Sequence, residues 1–461
     1  MRRLLRRRPL VLLLLVLAIQ PAGAQTVPMP EWVHRYGAPA DRLIAEATSS
    51  DFAWQRLAVM TDRFGHRLSG SEALEQTIRW AVSEMKRDGL ENVHTEPVMV
   101  PRWVRGRESA TLVEPGPHAI VMLGLGDSVG TPPEGLQAEV LVVGSFAELE
   151  SRSALAKGRI VLFNVPFTSY GDTRTYRTAG PSRAARHGAI AALVRAVGPM
   201  GLRTPHTGAL QYAPDLPRIP AASVTGEDAD RIQRLVDRGE RVVVRLQMEA
   251  RFEGEVESAN VVGELTGRER PDEVVVVAGH LDSWDVGTGA SDDGGGCIAT
   301  WEALRLMKRL GLRPRRTVRV VLFTNEENGG RGGVAYRDRH RAELPKHVMM
   351  LESDIGVFKP TGFGLTGSAQ ARRTVTEIAT LLRGLRADAI GPVGGGADID
   401  PSAREGGIPA MSLEVDGDYF MVHHTPADTI DRINPGELAE CAAVIAVMAY
   451  VVADLPHRLG E

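Results

Sequence analysis

Hydrophobic residues recur at helix and strand spacings along most of the chain. Between 51 and 90 they return every three or four residues, which predicts helices interrupted by a loop at 65–70. Apolar runs at 138–143, 159–163 and 188–194 predict short strands, with a helix at 179–187 before the last of them. This middle section therefore predicts a small β/α unit.

Beyond residue 259 the pattern changes to longer apolar strands at 273–278, 318–324 and 348–352, with a helix at 298–310. Such alternation predicts an α/β fold with a mixed, mainly parallel sheet flanked by helices. The apolar segment 439–453 is shorter than the roughly 20 residues of a membrane span and contains Glu440. It predicts a buried core helix.

The chain begins with arginines, continues apolar through 10–19 and then reaches Ala22-Gly23-Ala24. This order predicts a signal peptide at 1–24 and a protein exported to the periplasm or outside the cell. A Gly- and Pro-rich stretch predicts a boundary near Gly116. We expect the main domain to comprise 25–115 and 255–461, with an inserted domain at 116–254.

Composition is that of a globular protein, with 43% hydrophobic and 24% charged residues. The formal net charge of -4 gives no indication of a nucleic-acid partner or of binding to an anionic membrane. Cys297 and Cys441 are the two cysteines of the sequence. We expect both thiols to be free and buried.

Polar side chains follow the predicted strands at the points where each strand ends. Ligands bind at the carboxyl ends of parallel strands, so these side chains are candidates for chemistry. Each alone is more typical of a surface turn or a helix cap. Together they offer the nitrogen and carboxylate donors that suit a pair of zinc ions. The candidate metal ligands are His280, Asp292, one of Glu326 and Glu327, Asp354, and one of His423 and His424.

Two further acidic residues are candidates for catalysis. Adjacent side chains at a strand end point in different directions, so one of Glu326 and Glu327 can bind metal while the other accepts a proton. Position alone does not assign the two roles. Asp282 lies two residues after His280, where its carboxylate is expected to orient the imidazole.

These motifs resemble those of the zinc-dependent aminopeptidase and glutamate carboxypeptidase family. The resemblance extends from about 51 to the C-terminal helix. It includes Arg67-Leu68-Ser69-Gly70-Ser71 and His280-Leu281-Asp282-Ser283-Trp284-Asp285-Val286-Gly287. It implies the zinc exopeptidase fold and an inserted protease-associated domain.

The resemblance also implies a role for each candidate. Asp292 bridges two Zn²⁺ ions, Glu327 and His424 complete one site, and His280 and Asp354 complete the other. Glu326 becomes the catalytic base, and the peptide bond between Asp292 and Asp293 is expected to be cis. His424 is preferred to His423 because the family motif is a His followed by Thr, two variable residues and Asp-Thr, as in His424-Thr425-Pro426-Ala427-Asp428-Thr429.

We therefore expect an exported dinuclear zinc exopeptidase that hydrolyses short unblocked peptides, as a dipeptidase or carboxypeptidase. The partner is a short peptide, a homodimer is possible, and no membrane span is expected after signal cleavage. The alternatives are an aminopeptidase of the same family, a single-zinc transferase resembling glutaminyl cyclases, and a receptor-like binding protein. The sequence contains no His-Glu-x-x-His motif, so thermolysin-like chemistry lacks its signature.

Overall fold

The computed structural model describes residues 29–461, so the predicted signal peptide at 1–24 lies outside the described residues. The α-helices are α1 (Glu31–His34), α2 (Gly37–Thr48), α3 (Phe52–Phe64), α4 (Glu72–Arg87), α5 (Phe146–Ser151), α6 (Tyr170–Thr178), α7 (Gly180–Arg186), α8 (Gly226–Asp237), α9 (Gly295–Arg309), α10 (Arg331–His340), α11 (Ala369–Ala379), α12 (Asp400–Gly406), α13 (Tyr419–Val422) and α14 (Pro435–Asp454). Short 3₁₀ turns occupy Ser153–Leu155, Leu344–Lys346, Thr380–Leu385 and Ile430–Arg432.

The strands form two separate sheets. They are β1 (Glu91–Val104), β2 (Glu108–Glu114), β3 (His118–Ile120), β4 (Met122–Gly124), β5 (Leu136–Val143), β6 (Ile160–Phe163), β7 (Ala191–Arg195), β8 (Ala221–Val224), β9 (Val243–Met248), β10 (Arg251–Leu265), β11 (Arg270–His280), β12 (Arg316–Phe323), β13 (His347–Glu352), β14 (Lys359–Thr366), β15 (Ala389–Gly391) and β16 (Ala410–Asp416).

The larger sheet has the order β1-β10-β12-β11-β13-β16-β14-β15. Its centre, from β12 through β11 and β13 to β16, is parallel, whereas β1, β10 and β14 add antiparallel pairs. The central strands are rich in valine because a strand covered on both faces has no polar side. The predicted mixed, mainly parallel sheet is confirmed.

Helices cover both faces of the larger sheet. On one face, the apolar sides of α2, α3, α4, α9 and α14 form one continuous core with the sheet. On the other face, a smaller core joins the sheet to α10 and α12. This leaves the carboxyl edge of the parallel strands as the open side of the layer structure.

Helix α14 is the buried core helix predicted from the apolar segment 439–453. Within residues 29–461 it is also a helix long and apolar enough to cross a membrane, but 83% of its apolar window is buried inside the protein. It is longer than predicted because the Asn434 side chain caps its start and Pro435 occupies the first turn. Its burial, rather than its length, supports the core assignment. Cys297 and Cys441 are free and buried, as predicted.

The smaller sheet has the order β3-β2-β9-β5-β6-β7-β8-β4, with β5 to β8 parallel. Helix α8 packs on one of its faces, and α5 and α7 pack on the other. The sheet begins with β2, ahead of the predicted boundary near Gly116, because the Gly- and Pro-rich stretch hides a short strand. The predicted end at 254 falls within β10, which pairs with β1 of the larger sheet. The smaller unit therefore consists of the smaller sheet and the helices that pack on its two faces.

The two units meet around a pair of tryptophans. The Trp103 ring lies 6.5 Å from the ring of Trp284, and its indole N–H donates to the carbonyl oxygen of Ser128 at 2.9 Å. Trp284 packs directly on Gly126 of the smaller unit, where a Cβ atom would lie 1.9 Å from the indole. Only glycine permits this contact. Arg105 and Asp285 add a buried ion pair across the same junction, with 2.5 Å between Nη2 and Oδ1.

Candidate metal centre and active-site pocket

Three strand ends bring polar side chains to the carboxyl edge of the larger sheet. β11 ends at His280, β12 ends shortly before Glu326 and Glu327, and β13 ends two residues before Asp354. β11 lies between β12 and β13 and runs parallel to both, so the three ends meet. The predicted placement of these residues after neighbouring strands is confirmed.

Asp292 lies on a turn, Ala290–Gly294, at the start of α9. Asp428 holds this turn, because its Oδ1 accepts the N–H of Ser291 at 2.7 Å and its Oδ2 accepts the N–H of Asp292 at 3.1 Å. The peptide bond between Asp292 and Asp293 is cis, as expected. Asp428 therefore fixes the backbone that presents Asp292 to the strand ends.

His424 follows α13 on a backbone with a positive φ of 60°. The smaller unit holds it there: the N–H of Thr207 donates to the His424 carbonyl oxygen at 2.9 Å. His424 Nδ1 lies 3.3 Å from the Thr207 carbonyl oxygen and 3.4 Å from Arg177 Nη1, so Nε2 is the ring nitrogen that remains for a metal. The adjoining His206 ring lies 2.8 Å from the carbonyl oxygen of His423.

The five predicted metal ligands converge into two groups that share Asp292. His280 Nε2 lies 3.2 Å from Asp292 Oδ1 and 3.1 Å from Asp354 Oδ1. His424 Nε2 lies 3.2 Å from Asp292 Oδ2 and 3.0 Å from Glu327 Oε2. One carboxylate thus presents one oxygen to each group, which is the arrangement of a bridging ligand.

The donor atoms of these groups fit metal ions. Asp292 Oδ2 and Glu327 Oε1 are buried without a hydrogen-bond partner among the described residues. The ligand atoms of His280, Asp292 and Asp354 all lie within 4.8 Å of one another. Imidazole nitrogen and carboxylate oxygen are donors that zinc accepts in catalytic sites. Unpaired buried carboxylates are costly, and these donor atoms are of the kind that a cation would satisfy.

His423 is a nearby alternative to His424. The two rings stack with their centroids 3.5 Å apart, and His423 can also form a ligand group with Asp292 and His424. Its Nε2 lies 3.6 Å from Asp292 Oδ2, but only His424 also contacts Glu327. The distances favour His424, the residue chosen from the sequence.

The sequence suggested that the Asp282 carboxylate orients the His280 ring. In the structure it does not. His280 Nδ1 instead lies 3.0 Å from the Asp282 backbone oxygen, whereas the carboxylate is 3.9 Å away. The carboxylate accepts the N–H of Glu326 at 3.1 Å and the hydroxyl of Ser69 at 3.0 Å. The reason is geometric: the loop after β11 turns its carbonyl toward the ring and its side chain toward the loop after β12.

Burial and neighbouring charges shift the pKa values of these carboxyl groups in opposite directions. Burial raises the pKa of Glu326 well above its usual range, and Asp354 and Glu327 raise it further. Burial, aided by Asp292, raises the pKa of Glu327 to about 7. Burial raises the pKa of Asp292 too, but the imidazoles of His280 and His424, each 3.2 Å from one of its oxygens, outweigh burial and hold this pKa well below its usual range. Burial thus favours the protonated form of both Glu326 and Glu327.

A cavity of about 550 Å³ opens beside the two ligand groups. The larger unit lines it with Glu326 and the aromatic residues Tyr419 and Phe420. The smaller unit supplies the opposite wall, which includes Arg177 and Asp127. The site is thus formed between the two units rather than on the larger one alone.

The wall residues of the smaller unit were not predicted from the sequence. Arg177 is 4% exposed, donates to Thr207 O at 3.2 Å and to the Tyr170 hydroxyl at 2.9 Å, and forms no ion pair within residues 29–461. It lies in α6, far from the metal motifs in the chain, and no local pattern marks it. Asp428, by contrast, was visible as part of the motif that follows His424.

The chain is similar to several known peptidases. Residues 260–449 match the family model described as peptidase family M28. The chain is 46% identical over 408 residues to human carboxypeptidase Q, covering 88% of this chain and 86% of that protein. The solved structure of a peptidase M28 precursor from Shewanella amazonensis is 34% identical and superimposes with a TM-score of 0.90, covering 93% of this chain and 99% of that one. A zinc aminopeptidase from Bacillus subtilis, 20% identical and covering 89% and 96% of the two chains, shares the fold with a TM-score of 0.66.

The fold, the ligand groups and these matches define a zinc metallopeptidase. Its high identity to relatives along nearly the whole described chain makes the assignment more specific. The chain belongs to peptidase family M28.

Proposed function

We propose that the protein is an exported dinuclear zinc exopeptidase that hydrolyses short unblocked peptides, as a dipeptidase or carboxypeptidase. The observation that carries this proposal is Asp292, whose two carboxylate oxygens face two separate histidine–carboxylate groups. A shared ligand favours two ions over the single ion of a cyclase-like transferase. A receptor-like protein that only binds partners would not require this set of buried metal-binding atoms.

His280 and Asp354 would hold one ion, His424 and Glu327 the other, and Asp292 both. When bound, the zinc ions supply Lewis acidity, which lowers the pKa of water and polarises the scissile carbonyl. The remaining chemistry falls to the side chains around them.

Glu326 is the proposed general base. It lines the cavity next to Glu327 but makes none of the histidine contacts that define the ligand groups. It accepts the proton of the attacking water and then donates it to the leaving amine, a role worth about 10² to 10⁴ in rate. Its raised pKa suits a carboxyl that is protonated during the reaction. Asp282 is a positioning residue, because its carboxylate holds the backbone N–H of Glu326.

Short substrates are favoured by the smaller unit, which closes the cavity opposite the ligand groups. Arg177 is a buried cation there and has no carboxylate partner within the described chain. A substrate that ends in a free carboxylate would supply that partner. This favours the dipeptidase or carboxypeptidase assignment over the aminopeptidase one, consistent with the identity to carboxypeptidase Q.

Three further elements belong to the proposal. The arginine-rich, apolar start of the sequence supports export by a signal peptide ending at Ala24. The position of the smaller unit between β1 and β10, with its β/α build, supports its identification as a protease-associated domain. A homodimer is retained as the assembly to be checked by size-exclusion chromatography with light scattering.

The experiment that tests the function combines metal analysis with a peptide library. The mature protein should contain two zinc ions per chain and should cleave free dipeptides faster than end-blocked ones. Efficient cleavage within long peptides blocked at both ends would refute exopeptidase action. One ion per chain with cyclisation of N-terminal glutamine would favour the transferase alternative.

A further inference from the structure

A turn of the smaller unit at 125–128 enters the cavity wall and is fixed from several sides. Gly126 donates its N–H to the carbonyl of Gly208 at 3.0 Å and accepts the N–H of Leu210 at the same distance. Its Cα lies directly against Trp284, and the Trp284 ring packs at 5.7 Å on the ring of His424. The turn is thereby held in a constant position relative to the metal ligands.

Asp127 lies at the tip of this turn, with its side chain on the cavity. Its φ is 66°, a left-handed conformation that side chains other than asparagine and aspartate seldom adopt. Its carboxylate accepts one hydrogen bond, from Asn328 Nδ2 at 3.5 Å. The Asn328 amide is itself oriented by Asn325, whose Nδ2 donates to its oxygen at 2.7 Å.

The carboxylate of Asp127 has no cationic partner. It forms no ion pair within residues 29–461, although most of the buried carboxylates outside the metal site have an arginine or histidine beside them. Burial raises the pKa of Asp127 to about 6. A cation close to a partly buried carboxylate stabilises its charged form. Because Asp127 lines the cavity, a cation bound there can reach its carboxylate.

We propose that Asp127 binds the α-ammonium group of the peptide substrate. This inference rests on the proposed function and makes it more specific. Asn328, which orients the carboxylate, directly follows the proposed zinc ligand Glu327, so the ammonium site adjoins the reacting centre. Arg177 and Asp127 then supply opposite charges on one wall, which suits the two charged ends of a free dipeptide.

Asp127→Asn tests the proposal, because asparagine keeps the shape and tolerates the left-handed backbone. Three substrates are compared: a free dipeptide with uncharged side chains, its N-acetyl form, and an N-acetyl-lysyl dipeptide with the same C-terminal residue. We expect kcat/KM for the free dipeptide to fall about 10- to 100-fold, as for loss of a charged hydrogen bond. The N-acetyl form should be cleaved at an unaltered rate, so the preference for a free amino end should collapse.

Asp215→Asn is the matched control, since Asp215 is an exposed aspartate of the same unit away from the cavity. It should leave all three kcat/KM values unchanged. Zinc content and the melting temperature of Asp127→Asn should equal those of the wild type. Asp127→Gly, which adopts the same backbone without strain, should repeat the result.

An equal fall in kcat/KM for the free and acetylated dipeptides would overturn the proposal. So would a loss confined to the N-acetyl-lysyl substrate, since Asp127 would then recognise a side chain. Failure of the proposed function is distinguishable, because the wild-type protein itself would then fail to cleave the free dipeptide.

Discussion

Replacing Glu326 by glutamine should separate proton transfer from metal binding. Glutamine has nearly the same size and keeps the backbone N–H that donates to Asp282 at 3.1 Å. None of the short contacts between the histidines and the shared Asp292 involves Glu326. The ligand groups should therefore stay intact while the base is lost.

The expected loss of rate is that of removing the general base while metal binding is kept. General base catalysis contributes about 10² to 10⁴ in rate, so kcat should fall by this factor. At about 1.4 kcal/mol per tenfold change, the barrier rises by about 3 to 5 kcal/mol. The KM should change little, because the glutamate does not bind the substrate in its ground state.

The assay pairs zinc analysis by plasma mass spectrometry with steady-state kinetics on a free dipeptide. Glu327→Gln is the informative comparison, since Glu327 Oε2 lies 3.0 Å from His424 Nε2. This variant should lose zinc, to about one ion per chain. Glu134→Gln changes an exposed glutamate of the smaller unit and should alter neither zinc content nor kcat.

Two results would refute this reasoning. If Glu326→Gln kept its full turnover, Glu326 would not be the base. If it lost zinc as readily as Glu327→Gln, the two neighbouring glutamates would not have separate roles.

Three further predictions concern stability. Arg67→Lys should lower the free energy of unfolding by about 2 to 4 kcal/mol in urea titrations, because buried Arg67 donates to the carbonyl oxygens of Leu281, Thr288 and Gly289, and lysine cannot reach all three. Burial lowers the pKa of His347 to about 4, so the unfolded state binds more protons below pH 6.5. The free energy of unfolding should therefore decrease by about 1.4 kcal/mol per pH unit from pH 6.5 towards 4, and this contribution should be absent from urea titrations of His347→Gln. Removal of zinc by a chelator should lower the melting temperature as well as activity, and added zinc should restore both; an unchanged melting temperature would contradict binding of the metal by the folded state.

The larger sheet could be predicted well from the sequence because its strands are long and uniformly apolar. The strand ends then placed His280, Glu327 and Asp354 at one edge, since parallel strands present their carboxyl ends together. The contact of Asp282 could not be predicted. Which way a loop turns its carbonyl and its side chain depends on packing against Ser69 and the neighbouring loop, both distant in sequence.

The wall of the cavity was beyond sequence reasoning for another reason. Arg177 and Asp127 belong to the smaller unit, and only the docking of one unit on the other brings them to the site. Trp284 and Gly126 determine that docking, but a single glycine or tryptophan carries no signal of its partner. Strand β2 was also not predicted, because it lies in a stretch whose glycines and prolines resemble a linker.

The antiparallel pair β1 and β10 has a consequence for how such a protein can change over time. The chain leaves the larger sheet at Val104 and returns at Arg251, and these two residues are partners in the same ladder. The entire smaller unit therefore occupies the place of a hairpin turn. A module attached at two adjacent points can be lengthened, exchanged or lost without disturbing the strand order beneath it. Selection can thus alter the smaller unit while the strand order of the larger sheet is retained.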